Sequence, residues 1–139
     1  MPKEVEIAYP LLTRQWARAG GESMRLRPPG VKGVPDYLLV HPLCGNVLCE
    51  IKAVESMDDD IGLAVVQAGM LDTIRKKGGR AFALALHLGT RRWAGFCAGQ
   101  LETTWLRNRS MLQWRFGLLM VPELTVEHVL WWTNRGAGQ

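Results

Sequence analysis

Cysteine is scarce and odd in number: Cys44, Cys49 and Cys97 are the only three. With no C-x-x-C pair and no flanking histidine pair, this argues against a disulfide framework and against the common zinc patterns. All three are expected to be small buried hydrophobes. No apolar run approaches the roughly 18 residues of a membrane span, so no membrane partner is expected. The opening MPKEVEIAYP lacks the charged-then-apolar layout of a secretory signal. The expected compartment is the cytoplasm. Internal repeats and low-complexity linkers are missing too, so the 139 residues read as one unit. Their composition, 47% apolar and 22% charged, is that of a globular chain able to bury a core.

The charge present is unevenly distributed. Residues 1–60 hold seven Lys/Arg and nine Asp/Glu, whereas residues 61–139 hold ten and four, so the first part is −2 and the second +6. A basic half suits a polyanion. Lys76, Lys77, Arg80, Arg91 and Arg92 cluster in that half, and Lys32 adds a cation in the first. They are candidates for phosphate contacts. The alternative for the cluster is a solvated surface that complements a helix dipole.

Periodicity gives the elements. Val5, Ala8, Leu12, Trp16 and Ala19 recur at helical spacing, Gly20-Gly21 ends the pattern, and Pro10 predicts a kink or a start within it. Ser23–Arg27 reads as a strand. Tyr37–Val40 and Val47–Val54 read as two more, close enough to form an antiparallel hairpin. Glu55–Asp60 is a polar loop whose aspartates are expected to cap the next helix. That helix carries Leu63, Val66, Met70, Leu71 and Ile74 on one face and ends at Gly78-Gly79. Ala81–Leu88 and Trp93–Ala98 read as strands, Gln113–Val121 as a further strand and Thr125–Thr133 as a helix. The order implies an α/β fold, a mixed sheet with helices packed on it.

The chemistry-bearing feature is Gly33-Val34-Pro35-Asp36 followed, after thirteen residues, by Glu50-Ile51-Lys52. Asp36 starts one strand of the hairpin. Glu50 and Lys52 are two apart on the other, so they share a face while Ile51 points into the core. Two carboxylates offer a hard-oxygen site for Mg²⁺, with Mn²⁺ as a substitute, and the Ile51 carbonyl is a candidate third ligand. A metal there polarises a phosphodiester and acidifies an attacking water. Lys52 is placed to stabilise charge on the phosphate or to orient the water.

In context, GVPDYLLV and NVLCEIKA resemble the PD-(D/E)xK nuclease superfamily, and more narrowly its VRR-NUC branch, the virus-type replication-repair nucleases. Pro28-Pro29-Gly30 before Gly33-Val34-Pro35-Asp36, Gln67 on the helix after Glu50-Ile51-Lys52, and Gly78 after Arg75-Lys76-Lys77 are similar in the same order. The resemblance spans roughly residues 4–88. It implies a restriction-endonuclease-like core of helix, three-stranded meander, helix and strand over residues 1–99. Residues 100–139 are then a C-terminal β/α extension packed on that core. It also implies Asp36 and Glu50 as metal ligands, Lys52 as catalytic and Gln67 as a supporting catalytic residue. The N-terminal acidic ligand would be Glu6, with Glu4 as the alternative. The implied activity is metal-dependent hydrolysis of DNA, on branched or Holliday-junction substrates by similarity to short dimeric resolvases. A phage origin and a bacterial or phage-infected host fit. The alternative is a catalytically silent nuclease fold that binds nucleic acid or a protein.

Remaining features carry milder expectations. Asp58-Asp59-Asp60 reads as a loop and cap rather than a second metal site. His41, His87 and His128 sit in no ligand motif and read as structural or surface residues. Trp93, Trp105, Trp114, Trp131 and Trp132 suggest core or dimer packing over base stacking. The apolar content of residues 100–139 points to a homodimer interface there.

Overall fold

The computed structural model describes residues 2–26, 33–56, 61–97 and 120–134. Among them, six strands form one mixed sheet in chain order. They are β1 (Glu22–Arg25), β2 (Tyr37–His41), β3 (Gly45–Val54), β4 (Arg80–His87), β5 (Arg92–Cys97) and β6 (Met120–Val121). Neighbours pair antiparallel except β3 and β4, which run parallel. A parallel pair needs a crossover, and helix α2 (Val65–Lys76) supplies it.

Helix α1 (Tyr9–Arg18) is entered through a π-helical stretch, Glu4–Ala8. Proline explains the wider turn. Pro10 has no N–H to give and its ring crowds the carbonyl four residues back. Widening the turn relieves this, and the Tyr9 N–H donates to the Glu4 carbonyl, five residues back. The sequence pattern thus runs on through Pro10 with a change of helix type.

Alternation along β4 divides the core in two. Phe82, Leu84 and Leu86 face one way, packing with Leu12 and Trp16 of α1 and with Trp93, Val129 and Trp132. Ala81, Ala83 and Ala85 face the other way, toward Ala68 and Leu71 of α2. Large side chains fill the first layer, whereas alanines let α2 lie close on the second.

The described part of the C-terminal extension belongs to the first layer. β6 pairs with β5, and helix α3 (Val126–Asn134) packs against β4 and β5. Gly95 leaves room for the Trp132 ring, because a Cβ there would collide with the indole. Gln15 of α1 ties the layer together. Its Oε1 accepts from the Trp93 indole N–H and from the Leu124 backbone N–H, both at 2.9 Å. Trp93 and Trp132 are fully buried, and Trp131 is exposed. Of the strand expected over Gln113–Val121, β6 covers the last two residues, and residues 113–119 lie outside the described residues, as do Trp105, Trp114 and Asp58-Asp59-Asp60.

The aspartate cap expected for α2 is replaced by another device. Ala64 occupies the N-cap position, and its backbone N–H donates to Oε1 of Gln67 at 2.9 Å. Cys44, Cys49 and Cys97 are free and buried. No helix among the described residues is long and apolar enough to cross a membrane.

Candidate active site

The site lies where β2 begins and the middle of β3 passes it. Gly33 opens the approach with φ of +83°, a left-handed conformation that glycine adopts without penalty. The chain then enters β2 through Pro35 and Asp36. Tyr37 pairs with Cys49, so one step back along that register Asp36 stands across from Glu50. Oδ2 of Asp36 accepts the Ile51 backbone N–H at 2.8 Å, which locks the carboxylate to β3.

Asp36 and Glu50 are each only 1% exposed. Glu50 lies on the α2 side of β3, and its parallel-strand partner is Ala83. The alanine layer matters here, because it lets α2 bring Gln67 into reach. Nε2 of Gln67 donates to Oε1 of Glu50 at 3.0 Å, while its Oε1 accepts from Ala64. One amide therefore caps the helix and orients the carboxylate. Lys52, half-buried, follows Glu50 on the same face of β3. Ile51 points the other way into the core, 1% exposed.

Cys49 senses both charges. Burial first, then the negative charges of Asp36 and Glu50, push its thiol well above the usual range. It is a packed hydrophobe rather than a nucleophile.

Of the sequence candidates, Asp36 is hydrogen-bonded to Ile51 and Gln67 to Glu50, and Lys52 follows Glu50 on the same face of β3. Glu6 does not join them. It is exposed and pairs with Lys3 at 3.7 Å. Among the described residues no third acidic, histidine or cysteine side chain converges with the two carboxylates. Glu4 is half-buried in the π-helical stretch, which packs against β3. An oxygen set of two carboxylates suits Mg²⁺, which keeps several of its waters and takes few protein ligands.

The basic cluster is more heavily engaged than its sequence suggests. Asp72, buried, pairs with Arg75 at 2.9 Å and Lys76 at 2.8 Å. Arg80 donates to Thr133 and Asn134 of α3. Lys77, Arg91 and Arg92 are exposed. Lys32 lies outside the described residues. The histidines are held structurally. His41 bridges the Ala19 carbonyl and the Leu43 N–H, His87 contacts Thr90, and His128 contacts Thr125.

No protein-family model matches the chain, and no curated protein matches its sequence. Solved structures do. Hjc from Archaeoglobus fulgidus, a Holliday junction resolvase from an archaeal hyperthermophile, is similar with a TM-score of 0.54 and 21% identity. The match covers 69% of this chain and 78% of that one. A VRR_NUC domain is similar with a TM-score of 0.49 and 18% identity, over 78% of this chain and 98% of that one. The architecture is therefore the restriction-endonuclease-like α/β fold of the resolvase, as the motif resemblance implied.

Proposed function

We propose that this protein is a metal-dependent DNA endonuclease that hydrolyses phosphodiester bonds, acting on branched or Holliday-junction DNA. The observation that carries the reading is the pair of buried carboxylates, Asp36 and Glu50, set across β2 and β3 with Gln67 bonded to one of them. Two like charges held out of water are costly unless a cation accompanies them. In a nuclease fold that cation has a use. Mg²⁺, or Mn²⁺ in its place, supplies Lewis acidity toward the phosphate and an acidified water.

Asp36, Glu50 and the Ile51 carbonyl hold the ion in this reading. Of the two N-terminal glutamates that the resemblance offered, Glu4 is half-buried and Glu6 exposed, and neither converges with the two carboxylates among the described residues. Lys52 stabilises charge that develops on the scissile phosphate or orients the water. Gln67 is a positioning residue for Glu50. Lys32, Lys77, Arg91 and Arg92 contact DNA phosphates, and Lys76 and Arg80 do so through the charge left over from their internal partners. Symmetric cutting of a junction calls for two sites, and a homodimer related by a two-fold axis supplies them. Its interface draws on residues 100–139, chiefly outside the stretch that α3 buries in its own chain. The protein works in the cytoplasm of a bacterium or phage-infected host.

The test is cleavage of labelled junction, flap, duplex and single-stranded DNA with Mg²⁺, Mn²⁺ or EDTA. Asp36→Ala, Glu50→Ala and Lys52→Ala are each expected to lower the rate by at least about 10²–10³. The two acidic variants are also expected to lose metal binding by calorimetry. Three variants as fast as wild type would remove this site from the chemistry, and junction binding without cutting would leave a silent module. Light scattering checks the assembly: a single-chain mass of 15.6 kDa without DNA would sink the dimer.

A further inference from the structure

Two open grooves run along the outer side of the first helix, and Pro10 and Arg14, one turn apart, form the ridge between them. The first, about 440 Å³, is walled by Val5, Tyr9, Thr13, Arg25 and Tyr37. The second, about 390 Å³, is walled by Glu6, Ile7, Leu11 and Arg91. Three arginines thus stand in line across this flank: Arg25 on β1, Arg14 on α1 and Arg91 at the β4–β5 turn. All three are exposed, and the ion pairs among the described residues include none of them. The one acid in the second groove, Glu6, is already paired with Lys3.

Several other cations are paired with carboxylates. Arg18 pairs with Glu123 at 3.1 Å, and Arg75 and Lys76 share Asp72. Arg25 is instead held in place by a neutral surface. Its guanidinium lies 5.0 Å over the Tyr9 ring, which in turn meets Tyr37 edge-on at 5.1 Å. Stacking of this kind orders the guanidinium and leaves its N–H donors free for an anion.

The flank lies on the α1 face of the sheet, at the end where β2 begins. Arg25 pairs with Tyr37 in the β1–β2 register, Tyr37 directly follows Asp36, and the turn that bears Arg91 follows the end of β4 that pairs with the end of β3. Strand alternation turns Tyr37 toward α1 and Glu50 toward α2, so a chain of phosphates laid along Arg91, Arg14 and Arg25 passes the sheet end near Asp36.

We propose that this flank, with Arg14 as its central contact, holds the sugar-phosphate backbone of a DNA arm that passes the end of the sheet where β2 begins. The proposal rests on the nuclease reading above and adds Arg14 and Arg25 to the residues that bind the substrate. Contacts to phosphate position a duplex without reading its sequence, so the flank sets where an arm lies rather than which bases are cut.

The test is fluorescence anisotropy of a labelled four-way DNA junction with the full chain in EDTA, across a salt series. Arg14→Gln and Arg25→Gln are each expected to flatten the log–log salt slope by about 0.9, and the double variant by about twice that. Arg25→Lys keeps the charge and is expected to restore most of the slope. With Mg²⁺, the double variant is expected to raise KM and leave kcat near wild type, since the carboxylates are untouched. A melting curve like wild type's shows that the variants fold. A wild-type slope and KM in the folded double variant would overturn the proposal and leave the nuclease reading standing. A wild type that neither binds nor cuts any of the four DNA forms would overturn the nuclease reading itself.

Discussion

The two faces of the sheet are built on opposite principles. Under α1 and α3, β4 and β5 present Phe82, Leu84, Leu86 and Trp93, which meet Trp16 and Trp132. Under α2, β4 presents only Ala81, Ala83 and Ala85, and β5 presents Ala94 and Phe96. The first face buries large aromatic and aliphatic area, and that area drives folding. The second gives up much of that area for close approach. In return, α2 comes near enough for Gln67 to bond Glu50. One face holds the molecule together, and the other holds the carboxylate still.

The sharpest way to break this contrast is to cut into the first face. Trp132→Ala is expected to cost about 3–5 kcal/mol of stability, read by denaturant unfolding, while Asp36 and Glu50 keep their geometry below the new midpoint. On the second face the converse substitution adds volume. Ala83→Leu, beside Glu50 in the β3–β4 register, is expected to cost about 1–3 kcal/mol by overpacking. It should also lift α2 and so slow cleavage more than its stability loss explains. Equal activity per folded molecule would mean that the close approach of α2 has no bearing on the site.

A smaller effect isolates the link itself. Gln67→Ala removes the acceptor for Ala64 and the donor to Glu50, a loss of about 1–2 kcal/mol. It is expected to weaken metal binding measured by calorimetry, and Gln67→Asn is expected not to restore it because the shorter side chain falls short of Glu50. Smallest is the response of Cys49. Its thiol is raised by burial and by both carboxylates, so a thiol reagent at neutral pH is expected to leave it unmodified until the protein unfolds. Prompt modification of Cys49 in the native protein would contradict its full burial beneath the sheet.

Much of this was legible in the chain. The β2–β3 hairpin followed from two short apolar runs divided by Pro42 and Gly45, and Asp36, Glu50 and Lys52 fell together because strand alternation leaves little freedom. What escaped depended on contacts remote in sequence or on an unusual turn. The first helix could be read as periodic, but its opening stretch is π-helical, and there Glu4 is half-buried while Glu6 is exposed. Gln15 looked like an ordinary helix residue, and its role appears only when Trp93 and Leu124 arrive from the far end of the chain. The pairing of Asp72 with Lys76 was available from their i,i+4 spacing. Attention to the net positive charge of the region hid it. Arg14 and Arg25 stood out in no run, because a groove between a helix and an edge strand has no signature along the sequence.

The parallel junction between β3 and β4 has a consequence for how the chain acquires competence as it folds. On one side of it, β1, β2 and β3 join through antiparallel neighbours. On the other, β4 and β5 meet across a tight turn. Both halves contain pairings between strands close in sequence, which form quickly. Joining them requires the loop through α2 to close first, and such non-local pairing is slower. Asp36, Glu50 and Lys52 all reside in the first half, while Gln67 rides on the closing segment. The acidic residues can therefore be neighbours early, but the amide that steadies Glu50 comes only with closure of the seam. Refolding followed by a metal-binding signal should lag behind the signal of hairpin formation, and the site should mature with the last cooperative step.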